Sequence, residues 1–354
     1  MRMIGWMLAV ALLAPGAAFA QISNPAPVYV GGRAIATGGG YDFGWPGVYF
    51  ESRIEGPGVR VRFEAPAEYM RLLIDGQERV VFRRPGQVDL TLNNLAPGQH
   101  VVRLEKLTES QSGGGVFQGF YPVNGGAALA VTPRARQIEF IGDSYTVGYG
   151  NTSPVRECTQ EVIHDTTDTQ QAFGPRVANH YGADYRINAY SGFGIVRNYN
   201  GGVTDLSLPI IYPRLKPDTA AAPTQDDSAW KPQVIVINLG TNDFSTPLNP
   251  GERWADEAAL RGAYHTRYVA FVRELAAAQP QARFVLMGSD AFYADVERIA
   301  ATVNEAAPGK VTTLQFGDLD RMGCDYHPSL ADDAKLAALI EAHMDGLGVW
   351  SDAN

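Results

Sequence analysis

Four short stretches of the sequence carry residues that could act together in acyl transfer. This chemistry needs a nucleophile, a base that accepts its proton, and donors for the oxyanion that develops. Ser144, in a Gly-Asp-Ser tripeptide, is the candidate nucleophile and His327 the candidate base. The backbone N–H groups of Ser144 and Gly192, with the side-chain amide of Asn242, are the candidate oxyanion donors.

The choice of His327 as the base depends on its sequence context. The chain has six histidines, and His327 alone lies in a Gly/Pro-bounded loop after a predicted strand, with an acid two residues earlier. That acid is Asp325. The other histidines fall in a predicted strand, in or beside predicted helices, or in a polar loop. We therefore predict that His327 removes the proton from Ser144.

Each candidate stretch follows a predicted strand. Apolar runs typical of buried strands occur at 138–141, 185–189, 234–238, 283–287 and 311–316. Helical patterns cover 255–278, 291–306 and 330–347. Strands that alternate with helices predict an α/β fold with a doubly wound parallel sheet. Ligands bind such sheets outside the carboxyl ends of the strands, so the four stretches are expected to meet at one edge.

The preceding part of the chain is predicted to be β-structure. Short runs with a strand pattern occur at 59–63, 70–74, 80–82, 88–92 and 100–104. Asp75-Gly76 separates two of these runs and is a strong hairpin signal. Short strands divided by turns at this spacing predict a β-sandwich of the jelly-roll type. We place this domain at residues 21–132 and the α/β domain at residues 133–354.

Residues 1–20 are predicted to be a cleaved signal peptide. Arg2 precedes an almost wholly apolar run at 3–13, and residues 18–20 have the small-x-small cleavage pattern. A membrane anchor is the alternative, but the run is too short to span a bilayer. Cleavage after Ala20 would release a soluble, secreted or periplasmic protein, and the sequence leaves those two locations open.

The chain has only two cysteines, Cys158 and Cys324. Export to an oxidising compartment favours one disulfide between them, and a pair of unrelated buried thiols is the alternative. Cys324 lies three residues before His327, so a bridge would brace the loop that carries the candidate base.

Composition and charge exclude some classes of partner. Hydrophobic residues make up 45% and charged residues 19% of the chain, which is ordinary for a globular protein with a real core. The formal net charge is -9 and no Lys/Arg cluster stands out, so no nucleic-acid partner is expected. No His/Cys/Asp cluster has metal-ligand spacing, and neither a metal nor a cofactor is expected. The oligomeric state is left open.

The order of these motifs resembles the SGNH (GDSL-type) hydrolase superfamily: Gly-Asp-Ser, a glycine, Gly-x-Asn-Asp and Asp-x-His-Pro follow one another. The four signature residues of that superfamily match Ser144, Gly192, Asn242 and His327. Three features resemble carbohydrate esterase family 2: the β-sandwich, the sequence Ser-Gly-Phe-Gly-Ile-Val-Arg-Asn-Tyr at 191–199, and the sequence Gly-Cys-Asp-Tyr-His-Pro at 323–328. This resemblance implies a jelly-roll module fused to an SGNH domain that removes acetyl groups from plant polysaccharides, including at the sugar 6-hydroxyl.

The sequence departs from the superfamily pattern behind the histidine. Most SGNH enzymes place the aspartate that orients the histidine three residues before it, and that position here is Cys324. Asp325 is the available substitute, because a carboxylate can both fix the imidazole tautomer and stabilise the imidazolium. The resembled family uses either an aspartate or a backbone carbonyl, so a Ser-His dyad is the alternative.

Aromatic residues near the motifs, or in the loops between them, are candidates for stacking on a sugar ring. They are Tyr145, Phe193, Tyr199, Trp230 and Tyr326. For Trp230, which precedes Lys231-Pro232, packing at the entry to a strand is the alternative.

The leading hypothesis is an exported serine esterase that removes O-acetyl groups from carbohydrate through an acyl-enzyme intermediate. Its partner would be an acetylated plant cell-wall polysaccharide or oligosaccharide, and no membrane association is expected after signal removal. A lipase or thioesterase is one alternative, since SGNH folds also support those reactions. A non-catalytic carbohydrate-binding protein with a decayed site is another, and retention of all four signature residues argues against it.

Overall fold

The computed structural model describes residues 24–219 and 229–350 of the 354-residue chain. The predicted signal peptide at 1–20 lies outside the described residues. Among the helices of the described ranges, none combines the length and the apolar character that crossing a bilayer requires. An antiparallel β-domain is followed by an α/β domain with a parallel sheet.

The β-domain contains two antiparallel sheets. Its strands are β1 (Tyr29–Gly31), β2 (Ala34–Thr37), β3 (Gly40–Phe43), β4 (Tyr49–Glu55), β5 (Gly58–Ala65), β6 (Tyr69–Ile74), β7 (Gln77–Arg83), β8 (Gly86–Asn93), β9 (Gln99–Lys106), β10 (Gly115–Pro122) and β11 (Ala127–Leu129). One sheet has the order β1-β4-β9-β6-β7, with β11 paired to β4. The other sheet has the order β2-β3-β10-β5-β8.

The two sheets pack face to face because their strands alternate buried and more exposed side chains. In β5, Val59, Val61 and Phe63 are buried, and the residues between them are partly exposed. Phe50 on β4 stacks on Phe117 on β10, with ring centroids 4.2 Å apart, which joins the inner faces of the two sheets. The β-sandwich expected from the sequence is confirmed.

The α/β domain is built on one parallel sheet with the strand order β13-β12-β14-β15-β16. Its strands are β12 (Gln137–Gly142), β13 (Asp184–Ala189), β14 (Val234–Asn238), β15 (Arg283–Ser289) and β16 (Val311–Phe316). Its helices are α1 (Ser144–Val147), α2 (Gln160–Thr166), α3 (Phe173–His180), α4 (Leu208–Ile211), α5 (Thr241–Phe244), α6 (Glu257–Ala278), α7 (Tyr293–Asn304) and α8 (Leu330–Leu347).

The interior strands β12 and β14 and the edge strand β13 are buried along their whole length. This burial is expected for a parallel sheet that helices cover on both faces, and the doubly wound α/β fold is confirmed. Helix α6 starts at Glu257, two residues later than predicted, because the Asp256 side chain caps it. The Asp256 carboxylate accepts a hydrogen bond of 2.8 Å from the Ala259 N–H.

The two domains contact each other at both ends of β13. At the start of the strand, the Tyr49 hydroxyl donates a hydrogen bond of 2.9 Å to Asp184 Oδ1. At its end, the Ser110 hydroxyl donates a hydrogen bond of 2.8 Å to the carbonyl oxygen of Ala189. The domain boundary placed at 132–133 by the sequence falls in the linker between β11 and β12. The β-domain therefore reaches the sheet edge that carries the candidate residues.

Candidate active site

A tight turn between β12 and α1 places Ser144 at the carboxyl edge of the sheet. Gly142 ends β12, Asp143 caps α1, and Ser144 is the first residue of that helix. A Cβ atom at Gly142 would lie 1.9 Å from Thr146 Oγ1, so the turn needs glycine at this position. The Asp143 carboxylate accepts a hydrogen bond of 3.1 Å from the Tyr145 N–H. Its role in the turn is structural, because it caps the start of α1.

The imidazole of His327 lies against the Ser144 hydroxyl. His327 Nε2 is 2.8 Å from Ser144 Oγ. Burial lowers the pKa of His327 below its ordinary value of 6.5, so the ring is neutral at neutral pH and Nε2 can accept the hydroxyl proton. The rings of Tyr149 and Tyr145 flank the imidazole, with centroids 4.3 and 5.6 Å away. The fold thus brings the candidate nucleophile and base into contact.

The other ring nitrogen of His327 faces backbone carbonyls. Nδ1 is 2.9 Å from the carbonyl oxygen of Cys324 and 3.2 Å from that of Asp325. The Asp325 carboxylate, which the sequence analysis favours as the orienting group, instead accepts a hydrogen bond of 2.9 Å from the Tyr149 hydroxyl. The residues Cys324–Tyr326 form a 3-10 turn, and the His327 N–H donates to the same Cys324 oxygen, at 3.0 Å. Of the two alternatives, the geometry therefore favours the backbone carbonyl.

The candidate oxyanion donors Gly192 and Asn242 line the same cleft as Ser144. Within residues 24–219 and 229–350, neither the Ser144 nor the Gly192 backbone N–H has a hydrogen-bond acceptor. Gly192 has a φ of +83°, a conformation that favours glycine. The Asn242 amide nitrogen lies 3.2 Å from Asp143 Oδ2 and 2.9 Å from the carbonyl oxygen of Phe193. The two backbone donors are thus free in this structure, whereas the Asn242 amide must share its hydrogens with an incoming oxyanion.

Asp243 supports the loop that follows Gly192. Its carboxylate accepts hydrogen bonds from the N–H groups of Ile195, Val196 and Arg197, at 3.0, 2.9 and 2.9 Å. Burial raises the pKa of Asp243 to about 6, against the opposing effect of these backbone donors. The carboxylate therefore ties the loop after β13 to the turn that carries Asn242.

A disulfide joins Cys158 to Cys324, the pairing that the sequence analysis favours. It connects the segment before α2 to the turn whose Cys324 carbonyl contacts His327. The bridge spans a sequence separation of 166 residues, and in the chain-entropy account a cross-link over such a loop stabilises the fold by about 5 kcal/mol. The disulfide thus anchors the backbone that orients the candidate base.

The candidate nucleophile, base and oxyanion donors line a cleft of about 660 Å³: Ser144, His327, Gly192 and Asn242. Three of the five candidate sugar-stacking residues, Tyr145, Tyr199 and Tyr326, line this cleft. Tyr199 and Tyr326 are 59% and 58% exposed, so their rings are available to a ligand at the rim. Tyr145 is largely buried, beside Ser144.

The other two aromatic candidates, Phe193 and Trp230, do not line this cleft. Phe193 is buried against Tyr190, with ring centroids 4.3 Å apart. Trp230 precedes β14 and so lies towards the opposite edge of the sheet from Asn242, which follows that strand. Its Nε1 donates a hydrogen bond of 3.2 Å to the buried Glu139, so the packing role considered as the alternative is the one that the structure supports.

Other cleft residues were missed by sequence reasoning. Tyr149 contacts both His327 and Asp325, although it lies only five residues after the nucleophile. Gln111 comes from the β-domain and its Nε2 donates a hydrogen bond of 2.9 Å to the carbonyl oxygen of Ser191. The glycine-rich context of Gln111 carries no local signal of this contact. The cleft therefore includes residues from both domains.

The arrangement has the parts that acyl transfer requires. A serine hydroxyl faces a neutral imidazole, and two free backbone N–H groups lie nearby. Among the described residues, no group of three or more His, Cys, Asp or Glu side chains is placed to hold a metal ion. The organic groups of Ser144, His327 and Gly192 are sufficient for attack on an ester carbonyl.

Comparisons with known families match both domains. Residues 29–133 match the family model for the N-terminal domain of carbohydrate esterase 2. Residues 140–345 match the GDSL-like lipase/acylhydrolase family. An acetylxylan esterase / glucomannan deacetylase from Cellvibrio japonicus is 46% identical over 97% of this chain and 98% of its own length.

Solved structures show the same two-domain arrangement. One is a carbohydrate esterase whose active site displays divergent catalytic and non-catalytic binding functions. It is 44% identical to this chain, with a TM-score of 0.86, and the match covers 92% of this chain and 100% of that chain. A family two carbohydrate esterase from Clostridium thermocellum in complex with cellohexaose is 28% identical, with a TM-score of 0.79, over 91% of this chain and 100% of that chain.

Proposed function

The chain belongs to carbohydrate esterase family 2 and is a carboxylic ester hydrolase, and from that premise we propose that it removes O-acetyl groups from carbohydrate through an acyl-enzyme intermediate. The observation that carries the mechanism is the 2.8 Å contact between His327 Nε2 and Ser144 Oγ, beside two unpaired backbone N–H groups. A neutral imidazole in that position can remove the serine proton as the oxygen attacks.

The reaction proceeds in two half-reactions. Ser144 Oγ attacks the acetyl carbonyl carbon, and its proton passes to His327 Nε2. The carbonyl oxygen becomes an oxyanion that the N–H groups of Ser144 and Gly192 stabilise, with Asn242 as the third donor. The tetrahedral intermediate then expels the sugar hydroxyl, which takes the proton from His327, and leaves Ser144 acetylated. Water, activated by His327, releases acetate and restores the serine.

The orientation of His327 follows from its backbone contacts. The N–H at Nδ1 donates to the Cys324 carbonyl, so the Nε2 lone pair faces Ser144. When the ring becomes protonated, a carbonyl dipole rather than a full negative charge stabilises the imidazolium through Nδ1. The proposed catalytic unit is therefore a Ser-His dyad supported by the main chain.

The proposed substrate is an acetylated polysaccharide or oligosaccharide. The exposed rings of Tyr199 and Tyr326 offer faces for sugar stacking at the rim of the cleft. The names of the relatives, acetylxylan esterase / glucomannan deacetylase and a family two esterase in complex with cellohexaose, support the same substrate class. Ser144 is only 5% exposed, so an acetyl group on the exocyclic 6-oxygen, which projects from the ring, fits the recess better than one on a ring carbon.

Acetate release from positional isomers tests this proposal. We expect the rate constant kcat/KM for a 6-O-acetyl hexoside to exceed that for its 2- or 3-O-acetyl isomer by roughly tenfold or more, as a difference of 1.4 kcal/mol in transition-state binding would produce. The same enzyme preparation should be given a long-chain acyl ester and an acyl thioester. Faster turnover of either than of all acetyl sugars would contradict the substrate class.

The pH dependence of kcat/KM tests the role of His327. The base must be neutral to act, and burial holds the pKa of His327 below 6.5. Activity should therefore be level at neutral pH and should fall as the pH drops below 6.5 through that lowered pKa. The measurement is kcat/KM between pH 4 and 8, which reports the ionisation of the free enzyme.

A matched variant assigns the acid limb of that profile. The negative charge of Asp325 raises the pKa of His327, so Asp325→Asn is expected to move the limb to lower pH. A limb that does not move would belong to another group, such as the carboxyl of Asp143 or Asp243, whose pKa values burial raises to about 7 and about 6.

We also propose that the protein is exported and cleaved after Ala20. The apolar run at 3–13 and the small residues before the cleavage position support export. The disulfide between Cys158 and Cys324 supports the same conclusion, because disulfides persist in oxidising compartments. The amino-terminal sequence of the protein recovered from its natural source tests it, and an intact residue 1 would contradict it.

A further inference from the structure

Consecutive residues of the β-domain hold the segment that carries Gly192. Both carboxylate oxygens of Glu109 accept from the Ser191 hydroxyl, at 2.7 and 2.8 Å. The Gln111 Nε2 donates a hydrogen bond of 2.9 Å to the Ser191 carbonyl oxygen. Between them, Ser110 donates to the carbonyl oxygen of Ala189 at 2.8 Å. We call residues 109–111 the interdomain clamp.

The contact made by Gln111 acts directly on the peptide group of the oxyanion donor. The carbonyl of Ser191 and the N–H of Gly192 belong to one peptide unit, which is planar and trans. A hydrogen bond that fixes the direction of that carbonyl therefore fixes the direction of the N–H on its opposite side. The unpaired Gly192 N–H has no acceptor of its own among the described residues, so Gln111 supplies the restraint that it lacks.

Glu109 restrains the interdomain clamp through its buried contact with Ser191. Glu109 and Ser191 are 6% and 7% exposed, and within the described part of the chain the Ser191 hydroxyl is the only hydrogen-bond donor to the Glu109 carboxylate. The ammonium of Lys106 donates to the backbone carbonyl oxygens of Thr108 and Glu109, at 2.7 and 2.6 Å. The same ammonium forms a buried ion pair of 2.8 Å with Glu68. These contacts fix the backbone from which the clamp extends.

We propose that the β-domain is a working part of the active site: Gln111 and Glu109 are positioning residues that aim the Gly192 N–H at the oxyanion. The inference rests on the proposed function, because it assumes that this N–H stabilises the transition state. It assigns the β-domain a role in catalytic rate in addition to any role in holding carbohydrate. A donor held about 1 Å away from its productive position loses much of its effect on the transition state.

Gln111→Glu is the most informative variant. It keeps the shape of a side chain that is exposed in the cleft, yet it replaces the N–H donor with a carboxylate oxygen that repels the Ser191 carbonyl. Removal of a whole oxyanion donor costs about 10²–10³ in kcat, and a misdirected donor should cost part of that, roughly 10- to 100-fold. We expect kcat to fall by this factor on an aryl acetate and on an acetylated sugar, with KM within about twofold of the wild type.

Glu109 provides a second, independent pair of variants. Glu109→Gln keeps an oxygen that can accept from Ser191 and should retain kcat within a few-fold of the wild type. Glu109→Ala leaves the Ser191 hydroxyl without its partner and should lower kcat by roughly 10-fold or more. Rescue by glutamine distinguishes positioning from a requirement for the charge.

Tyr49→Phe is the matched control for domain contact in general. It removes the hydrogen bond between Tyr49 and Asp184, which joins the same two domains at the other end of β13. We expect it to lower the melting temperature without changing kcat. Equal losses of kcat in Tyr49→Phe and Gln111→Glu, or a rise in KM with unchanged kcat in Gln111→Glu, would overturn the proposal. Failure of the wild type to hydrolyse any acetyl ester would instead overturn the proposed function, and the inference with it.

Discussion

Ser144→Ala is expected to lower kcat for acetyl ester hydrolysis by on the order of 10⁴-fold or more, the size of loss that follows removal of a serine nucleophile. The reason is local. The Ser144 hydroxyl is the atom that would form the acyl-enzyme, and its side-chain contact is with His327 Nε2 at 2.8 Å. Initial rates on an aryl acetate and on an acetylated sugar measure the effect.

The fold should survive this substitution, which makes the result interpretable. The turn depends on Gly142 and on the Asp143 cap, and neither requires the serine oxygen. Melting temperature should therefore stay within a few degrees of the wild type, because a ΔΔG of 1 kcal/mol shifts it by only about 2–4 °C in a protein of this size class.

Mass spectrometry provides a separate check on covalent catalysis. Wild-type enzyme quenched during turnover should carry one acetyl group on the peptide that contains Ser144, and Ser144→Ala should carry none. Equal hydrolysis rates for the two proteins would remove Ser144 from the mechanism and, with it, the proposed function.

The fold was predictable where local chemistry determines it. The strand at Val234–Asn238 is a continuous apolar run and the structure has it with the predicted limits. Helix α8, Leu330–Leu347, also has the predicted limits. Ser329 and Asp332 form a capping box at its start, and Gly348 adopts a left-handed conformation at its end. The shorter helices α2 and α3 were not predicted, because a few turns carry too little periodic pattern.

The candidate site was predictable only where a side chain carries the role. Ser144 and His327 stand out by residue type and by position after a strand, and the structure places them in contact. The group behind His327 could not be settled, because a backbone carbonyl at Cys324 leaves no trace in residue type. The contact of Gln111 with Ser191 depends on how two domains pack, which no local pattern encodes.

Proximity in sequence to a motif was a poor guide to the cleft. Phe193 directly follows Gly192, yet its side chain is buried against Tyr190, because the chain turns at 190–193 and the Phe193 N–H donates a hydrogen bond of 3.1 Å to the Tyr190 carbonyl oxygen. Tyr149 was not predicted to be a site residue, yet its ring packs against the imidazole of His327. It directly follows Gly148, whose left-handed conformation ends α1 and changes the direction of the chain.

The histidine and the aspartate behind it are expected to respond very differently to substitution. His327→Ala should lower kcat by about 10⁴-fold, since the base and the acid of both half-reactions are lost together. Asp325→Asn should retain kcat within about threefold at pH 7, because the Asp325 carboxylate contacts Tyr149 and not Nδ1. Loss of a carboxylate that does orient a catalytic histidine costs about 10⁴ in kcat, so the two geometries predict results that a simple rate assay separates.

Chemical rescue distinguishes loss of the base from collapse of the site. His327→Ala leaves a gap between the rings of Tyr145 and Tyr149, which flank the imidazole in the structure. Added imidazole should occupy that gap and restore part of the rate in His327→Ala, and it should leave Ser144→Ala inactive. A large loss in Asp325→Asn, comparable to that in His327→Ala, would mean that the carboxylate moves from Tyr149 to Nδ1 during turnover. The mechanism would then be that of a Ser-His-Asp triad and not that of a Ser-His dyad supported by a backbone carbonyl.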